Sequence, residues 1–156
     1  VLTTVGSHEK RALAEAAGAD VVLDYDGFAD RARELTDGRG VDVVYDGVGA
    51  STFDGSLLAL RRRGTLALFG AASGPVPRID PLRLMQQGSL VLTRPTMGDF
   101  LQTPEERAWR YGEVFAAVAD GRLDVRIGAR FPLRDAAEAH RALEGRRTTG
   151  KVLLRP

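Results

Sequence analysis

The chain has 156 residues, of which 44% are hydrophobic, enough for the packed core of an ordinary domain and too many for a disordered chain. Its 22 basic and 21 acidic residues leave a net charge of +1, which favours neither a nucleic acid nor a membrane surface as a partner. The absence of cysteine excludes disulfides and thiolate chemistry within these residues, and we expect a cytoplasmic protein. No apolar run reaches the ~18 residues of a membrane helix, and we expect no signal peptide.

Up to about residue 95 the sequence follows a repeated strand–helix pattern. Runs rich in Val, Leu and Tyr alternate with amphipathic stretches, which indicates an α/β fold with a buried parallel sheet. Gly18, Gly38 and Gly64 follow helical stretches where a left-handed C-cap is expected, and Asp80-Pro81 is typical of a helix start. The predicted strands cover about residues 1–5, 20–23, 41–46, 65–70 and 89–94, and the predicted helices about 8–17, 28–36, 51–61 and 80–87.

Beyond residue 95 the pattern changes. Residues 103–106, Thr-Pro-Glu-Glu, predict a capping box with proline at the first helical position, opening a long helix that ends at Gly121. The tail predicts a strand at about 125–131, a helix capped by Asp135, and a strand at about 150–154. These last strands either join the preceding sheet or belong to a separate domain built mostly from other sequence.

The end of the first strand carries the first candidate ligand residues, because ligands of open parallel sheets bind beyond the carboxyl ends of the strands. An NAD-binding protein usually has an acidic residue here that reads the ribose 2′-hydroxyl, whereas this chain has Gly6 and Ser7. Ser7 can donate a hydrogen bond and Lys10 carries a charge suited to phosphate, which favours NADP over NAD. Alternatively, Ser7 is only an N-cap and Lys10 a solvated helix residue. No G-x-G-x-x-G precedes this strand, so we expect the pyrophosphate-binding turn upstream of residue 1, or not at all.

Small residues follow the third and fourth strands. Gly47 and Gly49 come after one strand and Gly70 after the next, so a ligand or another backbone can approach closely there. The fifth strand ends in Thr93-Arg94, where the arginine is either a polar anchor in a cleft or a surface residue.

Other kinds of site find little support. His8 and His140 lack metal-ligand spacing, and no serine lies in a G-x-S-x-G motif, so we expect no metal site and no catalytic residue in this chain. The basic cluster Arg61–Arg63 is predicted to be the solvated last turn of a helix rather than a phosphate-binding patch.

Six segments, spread from the first residues to the last, together match the pattern of one family. They are Thr4–Ser7 with Lys10, Gly18–Asp20 with Asp24-Tyr25, Gly40–Gly49, Arg62–Gly70, Ser89–Pro95 and Thr149–Leu154. In this register the chain resembles the NADPH-dependent quinone oxidoreductase (zeta-crystallin-like) branch of the medium-chain dehydrogenase/reductase superfamily. It departs from the Ile-Asn-Tyr common in that family at Leu23-Asp24-Tyr25.

The resemblance implies a fold and a set of cofactor-binding residues. Residues 1–122 would form an incomplete Rossmann-type doubly wound parallel sheet that lacks its first, central strand and its glycine turn. Residues 123–156 would be the C-terminal return segment of a GroES-like substrate domain. The implied NADPH-binding residues are Gly6, Ser7, Lys10 and Tyr25 around the 2′-phosphate, Val48 in the cleft, Phe69 and Gly70 at the nicotinamide ribose, Thr93 and Arg94 at the nicotinamide, and Arg146.

The implied activity is hydride transfer from NADPH to a quinone or an α,β-unsaturated carbonyl, without zinc. Two alternatives stay open: an enoyl-thioester reductase module of a larger synthase, and a non-catalytic binding or structural protein of the same fold. The strand at 89–94 ends the parallel series and carries few of the features that protect an edge. We therefore expect a homodimer through this strand, with Leu90 and Leu92 at or beside the two-fold axis, unless the loop or helix of residues 96–120 covers it.

Overall fold

The computed structural model describes residues 1–145 and 147–156 and confirms the α/β class with parallel sheets. The chain divides into two compact units, Val1–Met97 and Gly98–Pro156. The first contains β1 (Leu2–Val5), α1 (Arg11–Ala16), β2 (Val21–Asp24), α2 (Phe28–Glu34), β3 (Val41–Asp46), α3 (Phe53–Ala59), β4 (Leu60–Leu68), α4 (Leu82–Gln86) and β5 (Val91–Thr93). After α5 (Met97–Phe100), the second contains α6 (Pro104–Ala119), β6 (Ile127–Pro132), α7 (Ala136–Glu144) and β7 (Lys151–Arg155).

The first unit holds two separate parallel sheets. β1 pairs with β2, and β3, β4 and β5 form a second sheet in that order. Each strand is followed by a helix that returns the chain, so the carboxyl ends of paired strands lie at one edge of their sheet. In the described structure β1 and β3 do not pair, and their edges line a cavity of about 660 Å³ with Thr3, Thr4, Val43, Val44 and Tyr45 among its walls. Tyr45 is 77% exposed there, which is high for a strand residue of a buried parallel sheet.

The core of the first unit lies between α3 and the second sheet. Its buried members are Phe53, Leu57, Leu60, Leu66, Leu68 and Leu90. A second cluster of small residues, Ala29, Ala32 and Ala59, lets α2 come close to α3. Gly55 serves the same approach, since a Cβ built on it would lie 2.6 Å from the Phe28 ring. Apolar side chains at helical spacing on α3 therefore fix the helices against the sheet.

The junction between α3 and β4 differs from the predicted one. The helix ends at Ala59 and the strand begins at Leu60, so Arg61–Arg63 lie in the strand rather than in a last helical turn. Arg63 takes the left-handed conformation (φ +58°), with a shift in strand register nearby, and Gly64 is therefore not a C-cap. Arg61 forms an ion pair with Asp42.

The second unit begins with the predicted capping box. The Thr103 hydroxyl accepts from the Glu106 N–H at 3.2 Å, and the Glu106 carboxylate accepts from the Thr103 N–H at 3.2 Å. The two tail strands, β6 and β7, pair with each other in parallel. Asp135 precedes α7 as predicted, although its side chain makes no capping bond. Among the described residues, no helix combines the length and the apolar character that crossing a membrane requires.

Two adjacent leucines of α3 test this account of the core. Leu57 is 1% exposed and Leu58 is 48% exposed, so the pair differs in burial and little else. We expect Leu57→Ala to lower the free energy of unfolding by about 2–5 kcal/mol because it leaves a cavity, and Leu58→Ala to lower it by less than about 1 kcal/mol. Urea unfolding of the full-length protein followed by tryptophan fluorescence and circular dichroism measures both. Equal losses would contradict this core.

Candidate cofactor site

The end of β1 brings together the residues predicted to read the ribose. A Cβ built on Gly6 would lie 3.4 Å from Tyr25 Cε2, so the half-buried tyrosine ring lies against this glycine. Ser7 occupies the N-cap position of the 3-10 turn His8–Lys10, but its side chain makes no capping hydrogen bond. The Lys10 N–H donates to the Ser7 carbonyl at 3.1 Å, which keeps the two residues adjacent. Within the described part of the chain, Lys10 forms no ion pair and the Ser7 side chain makes no capping hydrogen bond.

Asp24, the residue at which the chain departs from the family pattern, is paired with a cation. Nη2 of Arg11 lies 3.0 Å from both carboxylate oxygens of Asp24, and Nη1 of the same guanidinium donates to the Val22 carbonyl. This group therefore links α1 to β2. The sequence analysis did not single out Arg11, because nothing in a single sequence shows which of two adjacent cations faces the next strand.

A buried carboxylate organises the loop after β3. Asp46 is 5% exposed and is the last residue of the strand. Its carboxylate accepts from the N–H of Val48 at 2.8 Å and of Gly49 at 3.0 Å, and from the hydroxyls of Thr52 at 2.9 Å and Ser56 at 2.8 Å. Two donors belong to the loop and two to the start of α3. One side chain thus fixes strand, loop and helix to each other.

These bonds decide the charge state of the group. Burial by itself raises the pKa of Asp46, but the donors of Gly49, Ser56, Thr52 and Val48 outweigh burial and hold the pKa below its ordinary value. Asp46 is therefore a carboxylate at neutral pH. Asp46 was not among the predicted site residues, although an aspartate at a strand end before Gly-Val-Gly, with hydroxyl residues six and ten positions further on, was a readable signal.

The loop after β4 runs along the loop after β3 and is bonded to it. The N–H groups of Phe69 and Gly70 donate to the Asp46 carbonyl at 2.9 and 3.2 Å, and the Ser73 N–H donates to the Val48 carbonyl at 2.7 Å. A Cβ on Gly70 would lie 2.2 Å from the Gly47 carbonyl oxygen, and one on Gly49, where φ is +91°, 2.7 Å from the Gly74 carbonyl oxygen. Of the two predicted reasons for small residues here, a ligand or another backbone, the structure shows the backbone contact.

The remaining predicted residues lie at the carboxyl ends of three neighbouring strands. Val48 follows β3, Phe69 and Gly70 follow β4, and Thr93 and Arg94 end or follow β5. The Phe69 ring lies over Gly47 and is 56% exposed; Thr93 and Arg94 are exposed. Arg146 lies outside the described residues. Within the described residues, no group of three or more His, Cys, Asp or Glu side chains is placed to hold a metal ion.

The buried carboxylate gives a test of the site's architecture. Asp46→Ala leaves two N–H groups and two hydroxyls without their acceptor, and we expect a loss of about 2–4 kcal/mol in the free energy of unfolding; Asp46→Asn keeps one acceptor and loses less. Because the folded pKa is depressed, the stabilisation is present above the unfolded pKa of about 3.9 and is lost as pH falls through the folded value. The stability difference between the parent and Asp46→Asn therefore shrinks from pH 6 towards pH 2. A pH-independent difference, measured by denaturant unfolding, contradicts the ionised state.

Comparison with known proteins places the chain in a family. The zinc-binding dehydrogenase profile matches residues 17–154. A quinone oxidoreductase of Pseudomonas aeruginosa is 44% identical; the match covers 100% of this chain and 49% of that protein. A 2-haloacrylate reductase of a Burkholderia species is 39% identical, with 100% of this chain and 48% of that protein covered. A mycobacterial protein solved in complex with NADPH is 56% identical, with a TM-score of 0.95 over all of this chain and 50% of its own. The chain thus spans about half the length of these relatives, and it belongs to the zinc-binding dehydrogenase family, in which it resembles the quinone oxidoreductases.

Proposed function

We propose that the protein transfers a hydride from NADPH to a quinone or an α,β-unsaturated carbonyl. The observation that carries this proposal is the end of β1, where the Ser7 hydroxyl and the Lys10 ammonium are uncommitted beside Gly6 and Tyr25. A dinucleotide site that reads an unphosphorylated ribose has a carboxylate at this place. The NADPH complex of the 56% identical mycobacterial protein supports the same cofactor.

The loops after β3 and β4, which are hydrogen-bonded to each other, would form the nicotinamide side of the site. Val48, Phe69 and Gly70 would line the cleft, with Thr93 and Arg94 at its far end; we keep Arg146 as a further proposed cofactor contact. NADPH itself supplies the hydride, so this chain's residues would bind the cofactor, orient its ring and exclude water. The exposed face of Phe69 is suited to the last of these roles, because an aromatic ring over the site displaces solvent. We propose no general acid or base among these residues.

The open edges of β1 and β3 bear on domain organisation. We propose that residues 1–122 belong to a Rossmann domain whose first strand and glycine turn come from elsewhere in the protein, and that this strand fills the cavity of about 660 Å³ between the two edges. Two facing strand edges with unpaired backbone groups are otherwise unfavourable. Residues 123–156 would be the return segment of the substrate domain. The roughly half-length coverage of the relatives supports both assignments.

A second candidate is an enoyl-thioester reductase within a larger synthase. A polyketide synthase subunit of Mycobacterium tuberculosis is 29% identical over 99% of this chain, which covers 7% of that protein. Both candidates reduce an electron-poor double bond with the same cofactor, and the similarity to a 2-haloacrylate reductase fits either. Because the chain contains no cysteine and needs no oxidising compartment, we propose a cytoplasmic protein.

Assembly is the last part of the proposal. We propose a homodimer through the edge strand at residues 89–94, where β5 pairs on one side only, with β4, in the described structure. Leu90, which was expected at or beside the axis, is instead buried in the core of its own chain, whereas Val91 is 52% exposed. Pairing two such strands across a two-fold axis would give an isologous contact and satisfy the open backbone groups.

Lys10 tests the cofactor and the reaction together. In the full-length protein we expect NADPH-dependent reduction of a simple benzoquinone, with NADPH preferred to NADH. Lys10→Met removes a charge-assisted phosphate contact of about 1.5–3 kcal/mol, so NADPH should bind about 10- to 150-fold more weakly while NADH binding is unchanged. Lys151→Met is the matched control: it removes the charge of the other lysine, which lies in β7, and should leave the binding of both cofactors unchanged. Equal affinity for both cofactors in the parent would sink the proposal.

Val91 tests the interface. Val91→Lys places two like charges close together across the proposed two-fold axis, so we expect a dimeric parent and a largely monomeric variant with unchanged circular dichroism. Val114→Lys is the control, because Val114 is 50% exposed on α6. Sedimentation velocity of the full-length protein gives the masses. A monomeric parent, or a variant as dimeric as the control, rejects the edge-strand contact.

A further inference from the structure

The Arg11–Asp24 ion pair stands beside the proposed 2′-phosphate site, and the proposed function makes no use of it. Asp24 is the register partner of Val5, so its carboxylate is held next to the turn that follows β1. One guanidinium nitrogen of Arg11 lies 3.0 Å from both oxygens of that carboxylate, and the other is held by the Val22 carbonyl. The cation is therefore positioned on the acid and offsets its charge.

We propose that Arg11 determines specificity for a 2′-phosphorylated nicotinamide cofactor by neutralising Asp24. An uncompensated carboxylate here would repel a phosphate dianion and could accept a hydrogen bond from an unphosphorylated ribose hydroxyl, which is how NAD-binding sites discriminate. With Arg11 paired to the acid, Lys10 remains the uncommitted cation for the phosphate. This inference rests on the proposed function and names a residue outside the set that would contact the cofactor.

The exposure of the pair separates this role from a structural one. The side chain of Asp24 is 67% exposed and that of Arg11 31% exposed, and ion pairs of such exposure add little to stability. Removing the Arg11 charge should therefore leave the fold intact and change the local potential. A carboxylate within several ångströms of a phosphate dianion, partly screened by solvent, weakens phosphate binding about tenfold.

The experiment compares dissociation constants of NADPH and NADH for the full-length parent, Arg11→Met, Asp24→Asn and the double variant. We expect Arg11→Met to bind NADPH about tenfold more weakly and NADH no more weakly than the parent. The double variant should return to within about twofold of the parent, because the charge that Arg11 neutralised is gone. Asp24→Asn alone should bind NADPH at least as tightly as the parent. Arg31→Met breaks an exposed ion pair with Glu34 on α2 and is the control, with an unchanged ratio.

Each other result overturns the inference. Equal weakening of both cofactors by Arg11→Met indicates a structural role, and a double variant that stays weak shows that Asp24 is not the repelling group. If Arg11→Met fails to fold, Asp24→Asn still decides, since weaker NADPH binding there would reject the neutralisation. One result would reject this inference alone: the parent prefers NADPH and Lys10→Met weakens NADPH binding, but Arg11→Met leaves the ratio of the NADPH and NADH dissociation constants unchanged. A parent without NADPH preference rejects the proposed function and the inference together.

Discussion

The ionised carboxylate of Asp46 is the interaction on which the geometry of the site depends. It is buried at the end of β3, where an unpartnered charge would be very costly, and four donors from the following loop and helix offset that cost. The carbonyl of the same residue accepts from the loop after β4. The side chain of this residue therefore holds the loop after β3, and its main chain holds the loop after β4.

The glycines of the two loops follow from this constraint. With the loops bonded to each other, a Cβ on Gly70 would meet the Gly47 backbone, and one on Gly49 would meet the Gly74 carbonyl oxygen; Gly49 has a positive φ as well. The ring of Phe69 and the end of β5 remain exposed along this edge, where we propose that the nicotinamide binds. At the sheet of β1 and β2 the arrangement is electrostatic: Arg11 pairs with Asp24 of β2, and Lys10 forms no ion pair in the described structure. The proposed cofactor would use both features: its nicotinamide ring would lie along the loops after β3 and β4, and its 2′-phosphate would bind Lys10.

The sequence predicted most of the elements because the strands are continuous apolar runs and some helix starts carry a clear signal, such as the Thr103–Glu106 capping box. The prediction was wrong at Arg61–Arg63. β4 begins at Leu60, which pairs with β3, so residues that directly follow a helix lie in a strand. Such pairing is a tertiary effect that local propensity does not contain. The residues around Gly6 and Gly70 were proposed as ligand contacts from strand ends, from glycines and from the family resemblance. Asp46 was missed although its place at a strand end before Gly-Val-Gly is a readable signal, and Arg11 was missed because a cross-element ion pair depends on which side chains meet in space. The site residues themselves stay predictions, with Arg146 outside the described residues.

The central claim is that NADPH lies across the carboxyl ends of β1, β3, β4 and β5. Its 2′-phosphate would lie at the end of β1 and its nicotinamide along the loops after β3 and β4. A crystal structure of the full-length protein with NADPH tests it most directly. The account predicts the 2′-phosphate within hydrogen-bond distance of the Ser7 hydroxyl and the Lys10 ammonium, and the nicotinamide ribose beside Phe69 and Gly70. A 2′-phosphate bound away from Ser7 and Lys10, or a nicotinamide outside the loops after β3 and β4, would contradict it.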